Sequence, residues 1–186
     1  MVAKKYVPRI KKKYYEEVVP ELKKRLKREN VLSLPRLKKI VVNMGVGDAL
    51  KDPKTLDGAM KDLRDITGQQ PIITRAKKSV SNFKLRAGQS IGCCVTLTGN
   101  KMYEFFDRFV NFAIPRIRDF KGLDPKSFDK RGNYNLGIKE QTIFPEVSYD
   151  SIYKIRGMDV AVVTSSDKDG EAMLLLALLG FPFKKT

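Results

Sequence analysis

Between Arg75 and Arg86 the chain sets Arg75, Lys77, Lys78, Lys84 and Arg86 among Ser79, Ser81, Asn82 and Phe83, with no acid in the run. The chemistry open to such a mixture is recognition of a polyanion. Guanidinium and ammonium groups neutralise phosphate, hydroxyls and an amide reach hydrogen-bonding edges at short range, and an aromatic ring offers its face to a base or ribose. This combination fits RNA better than a bare charge run would. The plainer alternative is a solvated hairpin loop with Phe83 folded back against a sheet. The run lies within a longer window, from Asp65 to Glu104, with no carboxylate between its ends, whereas an ordinary surface mixes both signs.

Other chemistry is hard to assemble. The chain has no histidine, which removes the usual general base, the Ser-His and Cys-His nucleophile pairs and mixed zinc sites. Its only cysteines, Cys93 and Cys94, are adjacent; they cannot frame a disulfide scaffold or a four-ligand zinc site, and two half-buried strand thiols are expected. Asp124, Asp129, Glu140 and Glu146 could pair for acid–base work, but they sit among lysines and arginines and read as mixed-charge surface. In NMGVGDALKD, Gly45 and Gly47 begin a G-x-G-x-x-G pattern, yet position 50 is leucine and no Gly-Lys-Ser/Thr follows. That pair reads instead as loop glycines that let the backbone approach a neighbour. Asn43, ending the apolar strand before them, can read a partner's backbone or base edge, or bond its own loop. No catalytic set, metal site or cofactor is expected.

The 186 residues carry 37 Lys and Arg against 21 Asp and Glu, a formal charge of +16. Residues 1–39 hold 14 cations against 4 acids and residues 66–103 hold 6 against none, and these two segments account for the whole excess. Such self-repulsion is costly for a fold and implies a polyanionic partner. A membrane surface would need an amphipathic or lipidated anchor, which is not apparent. The longest apolar run, Ala172 to Leu179, falls far short of the ~20 residues that span a bilayer core. The N-terminal cations are followed by no apolar segment of the kind a signal peptide has. The expectation is a cytoplasmic protein with no membrane partner.

The elements that must position the basic run are legible from hydrophobic spacing. Ile10, Tyr14, Val18, Leu22 and Leu26 mark a basic amphipathic helix that Pro20 kinks or divides. RLKKIVVNMGVG reads as a strand ending in a loop. Asp52 then caps a helix, with Pro53 at its first position, Leu56, Ala59, Met60, Leu63 and Ile66 as its buried stripe, and Gly68 at its end. Residues 71–76 and 90–98 alternate as strands joined by the basic run. Met102, Phe105, Phe106, Phe109, Val110 and Ala113 mark a helix that Pro115 stops. Residues 116–135 form an irregular arm with little core, before two more strands and a helix from near Asp167 to Gly180. The order favours an α+β fold, a two-layer sandwich of an antiparallel sheet with helices packed on one side, plus a long basic loop and an N-terminal basic helix. A single domain over residues 1–186 is expected, with 1–30 as the basic helix, 75–88 as the loop and 115–135 as the arm.

The segments TGQQPIITRAKKSVSNFKLRAGQSIG, FAIPRIRDFKGL and FDKRGNYNLGIKEQTIFPE, with RLKKIVVNMGVGDA and RGMDVAVVTSS, resemble the family of large ribosomal subunit protein five, the bacterial-type protein that binds 5S ribosomal RNA. The resemblance runs from Tyr14 to Phe183. It implies a place in the central protuberance of the large subunit, with Asn43, Gln69 and Thr96 at the positions of the family's rRNA-binding residues. It also implies that the loop from Arg75 to Arg86 reaches toward P-site tRNA, and that the chain contacts neighbouring large-subunit rRNA and proteins. An intersubunit bridge to a small-subunit head protein, through the arm around Arg116 to Arg131, is implied as well. Two features depart from the family pattern. The extension before Tyr14 is richer in lysine, which suits an extra RNA tail, and Cys94 stands where relatives often carry a basic residue, which argues against phosphate contact there.

The leading expectation is therefore a non-catalytic constituent of the ribosome. Its competitor is a metal-dependent RNA-processing enzyme or RNA chaperone on a similar frame. That alternative needs acids facing a groove, and the most basic window has none.

Overall fold

The computed structural model describes residues 6–50, 52–149 and 152–184; Lys4 and Lys5 of the N-terminal extension lie outside them. Five strands, β1 (Leu37–Gly45), β2 (Ile72–Arg75), β3 (Ser90–Leu97), β4 (Tyr134–Ile138) and β5 (Met158–Thr164), form one antiparallel sheet in the order β2-β3-β1-β5-β4. With its helices this is the expected α+β sandwich. The chain divides into two compact units, one of Met1–Ile40, Thr98–Asn135 and Ala161–Thr186, the other of Val41–Leu97 and Leu136–Val160.

In the first unit the basic helix is built from α1 (Arg9–Lys13), a π-helical turn (Tyr14–Val18) and α2 (Val19–Leu26), run end to end. The effect of Pro20 is this π turn. Proline has no N–H to donate and its ring presses on the carbonyl four residues back. Widening the preceding turn, so that the Val19 N–H bonds the Tyr14 carbonyl, gives the ring room. Pro115 does the same to α4 (Gly99–Arg108), which passes through a π turn at Phe109–Ala113 and ends in a 3₁₀ turn at Ile114–Arg116. Ile10, Tyr14, Val18 and Leu22 are buried and Leu26 only partly so. Here α1 packs on α4, and the first π turn and α2 pack on α5 (Asp169–Leu179).

The arm needs a correction. It is irregular, but it carries more core than expected: Leu123 and Tyr134 are buried. Phe128 meets Tyr134 edge-on (5.0 Å between centroids), and Tyr134 meets Phe181 (5.3 Å), which stacks on Phe106 (5.6 Å). Leu123 also exchanges backbone hydrogen bonds with the C-terminal segment, donating to Pro182 and accepting from Lys184. Local hydropathy does not reveal this anchor, because its rings come from distant parts of the chain.

Tyr14 yields a pH prediction. Its hydroxyl donates to the Pro35 carbonyl (3.1 Å), and burial pushes its pKa up to about 12. Between the ordinary tyrosine range and that value the unfolded chain has lost this proton while the folded one keeps it, so stability present below pH ~10 falls as pH rises through it. The urea midpoint should drop between pH ~8 and pH ~11.5. Tyr14→Phe should cost about 1 kcal/mol at pH ~8 yet lose less over the same interval. An equal loss in both proteins would remove Tyr14 as the cause.

In the second unit α3 (Lys54–Thr67) starts one residue later than read, with Pro53 in the N-cap place; the Asp52 carboxylate still accepts from the Lys54 N–H (3.0 Å), and Gly68 ends the helix at φ +64. Leu56, Ala59, Leu63 and Ile66 are buried, Met60 partly, and the helix packs on β3. Asp62 is buried on the same helix, which the apolar stripe does not reveal. Burial pushes its pKa up, opposed by the hydrogen bond it accepts from Gln141 (3.3 Å). Gln141 is itself buried and also donates to the Lys154 carbonyl (2.8 Å). Nearby, the Tyr153 hydroxyl donates to Asp52 (2.7 Å) and Lys154 pairs with Asp48. The reading of Gly45 and Gly47 as close-approach glycines is corrected, since a Cβ at either would meet nothing within 4 Å. The close approach belongs to Gly92, where a Cβ would lie 2.6 Å from the Met44 carbonyl oxygen and 2.9 Å from Thr74 Oγ1.

Candidate nucleic-acid interface

Side chains alternate across a strand. Val42 and Met44 on β1, and Cys93, Val95 and Leu97 on β3, point into the core of the second unit. Asn43, Cys94 and Thr96 therefore lie on the opposite face. Antiparallel pairing of Ile72 with Cys94 and of Thr74 with Gly92 adds the outer side of β2 to it. Asn43 and Thr96 thus share one face of neighbouring strands, and Gln69, just before β2, is tied to Thr96 by donating its Nε2 to the Thr96 carbonyl (3.2 Å).

Asn43 is half-buried, and its side chain has no hydrogen-bond partner among the described residues. Of the two readings open from sequence, bonding to its own loop is not the one realised. From Val41 to Gly45 on β1, from Ile72 to Thr74 on β2 and along the whole of β3, the face carries no charged residue. Burial pushes the Cys93 thiol up to about 11 and raises the half-buried Cys94 as well, so both stay protonated at neutral pH. Only Cys94 is the half-buried thiol expected; Cys93 is fully buried. Asp159, exposed on β5, borders the face.

The basic run leaves this sheet as an organised hairpin. A register shift between Thr74 and Arg75 marks its base, where a bulge twists the pair away from regular alternation. Val80 pairs antiparallel with Leu85 across a 3₁₀ turn, Ser81–Phe83, and Lys84 adopts φ +51 to close it. Several of the candidate residues hold this shape. The Arg75 guanidinium donates to the Gly88 carbonyl (3.1 Å), Ser79 Oγ accepts from the Ala87 N–H (3.0 Å), and the Arg86 N–H donates to Gln89 Oε1 (2.7 Å). Lys77, Lys78, Ser81, Asn82, Lys84 and the Arg86 side chain are left exposed. Phe83 is 75% exposed rather than folded back on the sheet.

Two of the acids considered for catalysis have structural work. Asp124 caps a short turn by accepting from the Lys126 N–H (2.9 Å), and Asp129 accepts from the Arg131 and Asn133 N–H groups (2.8 and 3.1 Å). Among the described residues no group of three or more His, Cys, Asp or Glu could hold a metal ion, and no helix is long and apolar enough to cross a membrane.

Residues 90–183 match the family model for the C-terminus of the ribosomal L5 family, and residues 30–86 match the model for ribosomal protein L5. The large ribosomal subunit protein uL5 of Thermus thermophilus is 57% identical over 176 residues, covering 95% of this chain and 97% of its own. The proteins of that name from Clostridium acetobutylicum (57% over 177 residues, 95% and 98%) and Caldanaerobacter subterraneus (56% over 177 residues, 95% and 99%) are similar to the same extent.

Proposed function

The chain belongs to the ribosomal L5 family and is a non-enzymatic protein of the large ribosomal subunit in the cytoplasm, and from that premise we propose that it fastens 5S rRNA into the central protuberance. The observation that carries this reading is the uncharged face on which Asn43, Gln69 and Thr96 converge beside an acid-free basic hairpin. Two kinds of contact then divide the work. Lysines and arginines release counterions from RNA and supply affinity, while the amides and the hydroxyl fix one folded RNA surface by hydrogen bonding.

The hairpin's exposed Lys77, Lys78, Lys84, Arg86 and Phe83, with Ser81 and Asn82, contact P-site tRNA, with Arg75 and Ser79 holding the hairpin in shape. The arm from Arg116 to Arg131 faces the small-subunit head protein of an intersubunit bridge. Its aromatic anchor supports such a role by giving an irregular segment a defined position. Other cations meet neighbouring large-subunit rRNA and proteins.

A titration against 5S rRNA and a structured RNA of similar length, from ~50 to 300 mM salt, tests the central proposal. Both affinities should fall with a log–log slope of about 0.7 to 0.9 per phosphate contact. The preference for 5S rRNA should persist or widen. Equal binding that disappears in step for both RNAs would mean that the net charge alone had been measured.

A further inference from the structure

The composition of the sheet face specifies which part of an RNA it can meet. A surface built to grip phosphate recruits cations, and this chain has many, yet none stands on the face between Val41 and Gly45 of β1, between Ile72 and Thr74 of β2, or anywhere on β3. Asn43, Gln69, Thr74 and Thr96 offer short neutral donors and acceptors instead. Asp159 on the strand beside β1 sharpens the point, because a carboxylate accepts hydrogen bonds and repels phosphate. Gly92 leaves the middle of the face without a side chain, and any Cβ there would collide with the Met44 backbone. Gly92 is itself buried, and the short side chains of Asn43, Cys94 and Thr96 around it make the face a shallow floor. At its edge Ile72 is 73% exposed, an apolar surface suited to the C–H side of a ribose.

An A-form helix has one groove of matching shape. Its major groove is deep and narrow, whereas its minor groove is wide and shallow and lined by 2′-hydroxyls. We infer that this face reads the minor-groove edge of a helical RNA segment through ribose 2′-hydroxyls, with Asn43, Gln69, Thr96 and Asp159 as their hydrogen-bonding partners. Cations outside the basic hairpin meet the phosphates on either side. The inference rests on the 5S rRNA reading above and adds the chemical group recognised.

The test uses the full chain and two 5S rRNA pools, one with sparse phosphorothioates and one with sparse 2′-deoxy phosphorothioates. The bound fraction of each is selected and its substituted positions are mapped. A cluster of 2′-deoxy positions on two strands facing one minor groove should be depleted, each by roughly fivefold or more. That cluster should fade with Asn43→Ala. In parallel, Asp159→Lys, at an exposed position, should weaken binding by about tenfold. A phosphate row facing Asp159 would instead be gripped more tightly by the new cation. Absence of 2′-deoxy interference, or tighter binding by Asp159→Lys, would overturn the inference while 5S preference stood. Loss of preference for unmodified 5S rRNA by the unaltered chain would instead defeat the reading beneath it.

Discussion

Replacing Asn43 and Gln69 together with alanine is expected to lower affinity for 5S rRNA by roughly a hundredfold, at about tenfold per lost hydrogen-bonding group. The fold should survive. Asn43 spends no side-chain hydrogen bond within the described structure, and the Gln69 bond to the Thr96 carbonyl is exposed, where its loss costs ~1 kcal/mol or less. Circular dichroism should therefore match the parent while binding collapses. The contrasting variant is Lys77→Ala with Lys78→Ala and Lys84→Ala. All three lysines are exposed on the hairpin, so the fold should again hold, and 5S rRNA binding should stay within about threefold while tRNA contact weakens. Unfolding of the amide variant would make those side chains core ties rather than recognition groups. Failure of the lysine variant to bind 5S rRNA would mean that the hairpin serves that RNA.

Gly132→Ala should be the most damaging single methyl in the first unit. Its backbone sits at φ +72, a region costly for any side chain, and an alanine Cβ would lie 2.1 Å from the Ser166 carbonyl oxygen. The glycine is also tied at both ends, its N–H donating to Asp169 (2.9 Å) and its carbonyl accepting from the Thr164 hydroxyl (2.7 Å). Strain and steric conflict together should cost about 3 kcal/mol or more. For a chain of this size that lowers the melting temperature by roughly 6 to 12 °C. Gly47→Ala is the matched control, since its Cβ would meet nothing within 4 Å, and it should stay within about 0.5 kcal/mol. A Gly132→Ala protein that melts with the parent would show that the arm can shift aside at little cost.

The order of strands and helices was legible because it depends on local spacing. The stripe of α3, its Asp52 cap and its Gly68 stop are each decided by residues a few positions apart. The location of the basic hairpin was legible for the same reason. What spacing cannot report is a meeting between distant residues. The burial of Asp62 depends on Gln141, and the anchoring of the arm depends on Phe181. Tight contact at Gly92 depends on Met44 across a strand pair, so glycine pattern alone pointed to Gly45 and Gly47 instead. Within the candidate site, residue type identified the hairpin but not its division of labour. Arg75 and Ser79 resemble contact residues in sequence, yet their polar atoms shape the loop.

The π turn ahead of Pro20 also settles a question of phase. Ile10, Tyr14, Val18 and Leu22 recur every four residues, and an unbroken α-helix advances about 100° per residue, so each step would drift about 40° around the axis. The last of the four would then face about 120° from the first. All four are buried, because the wider turn takes back the drift between two stretches of ordinary pitch, much as a leap day keeps a calendar aligned with the seasons. The same residues wound at ordinary pitch throughout would make a perfectly good helix whose second half looks the wrong way.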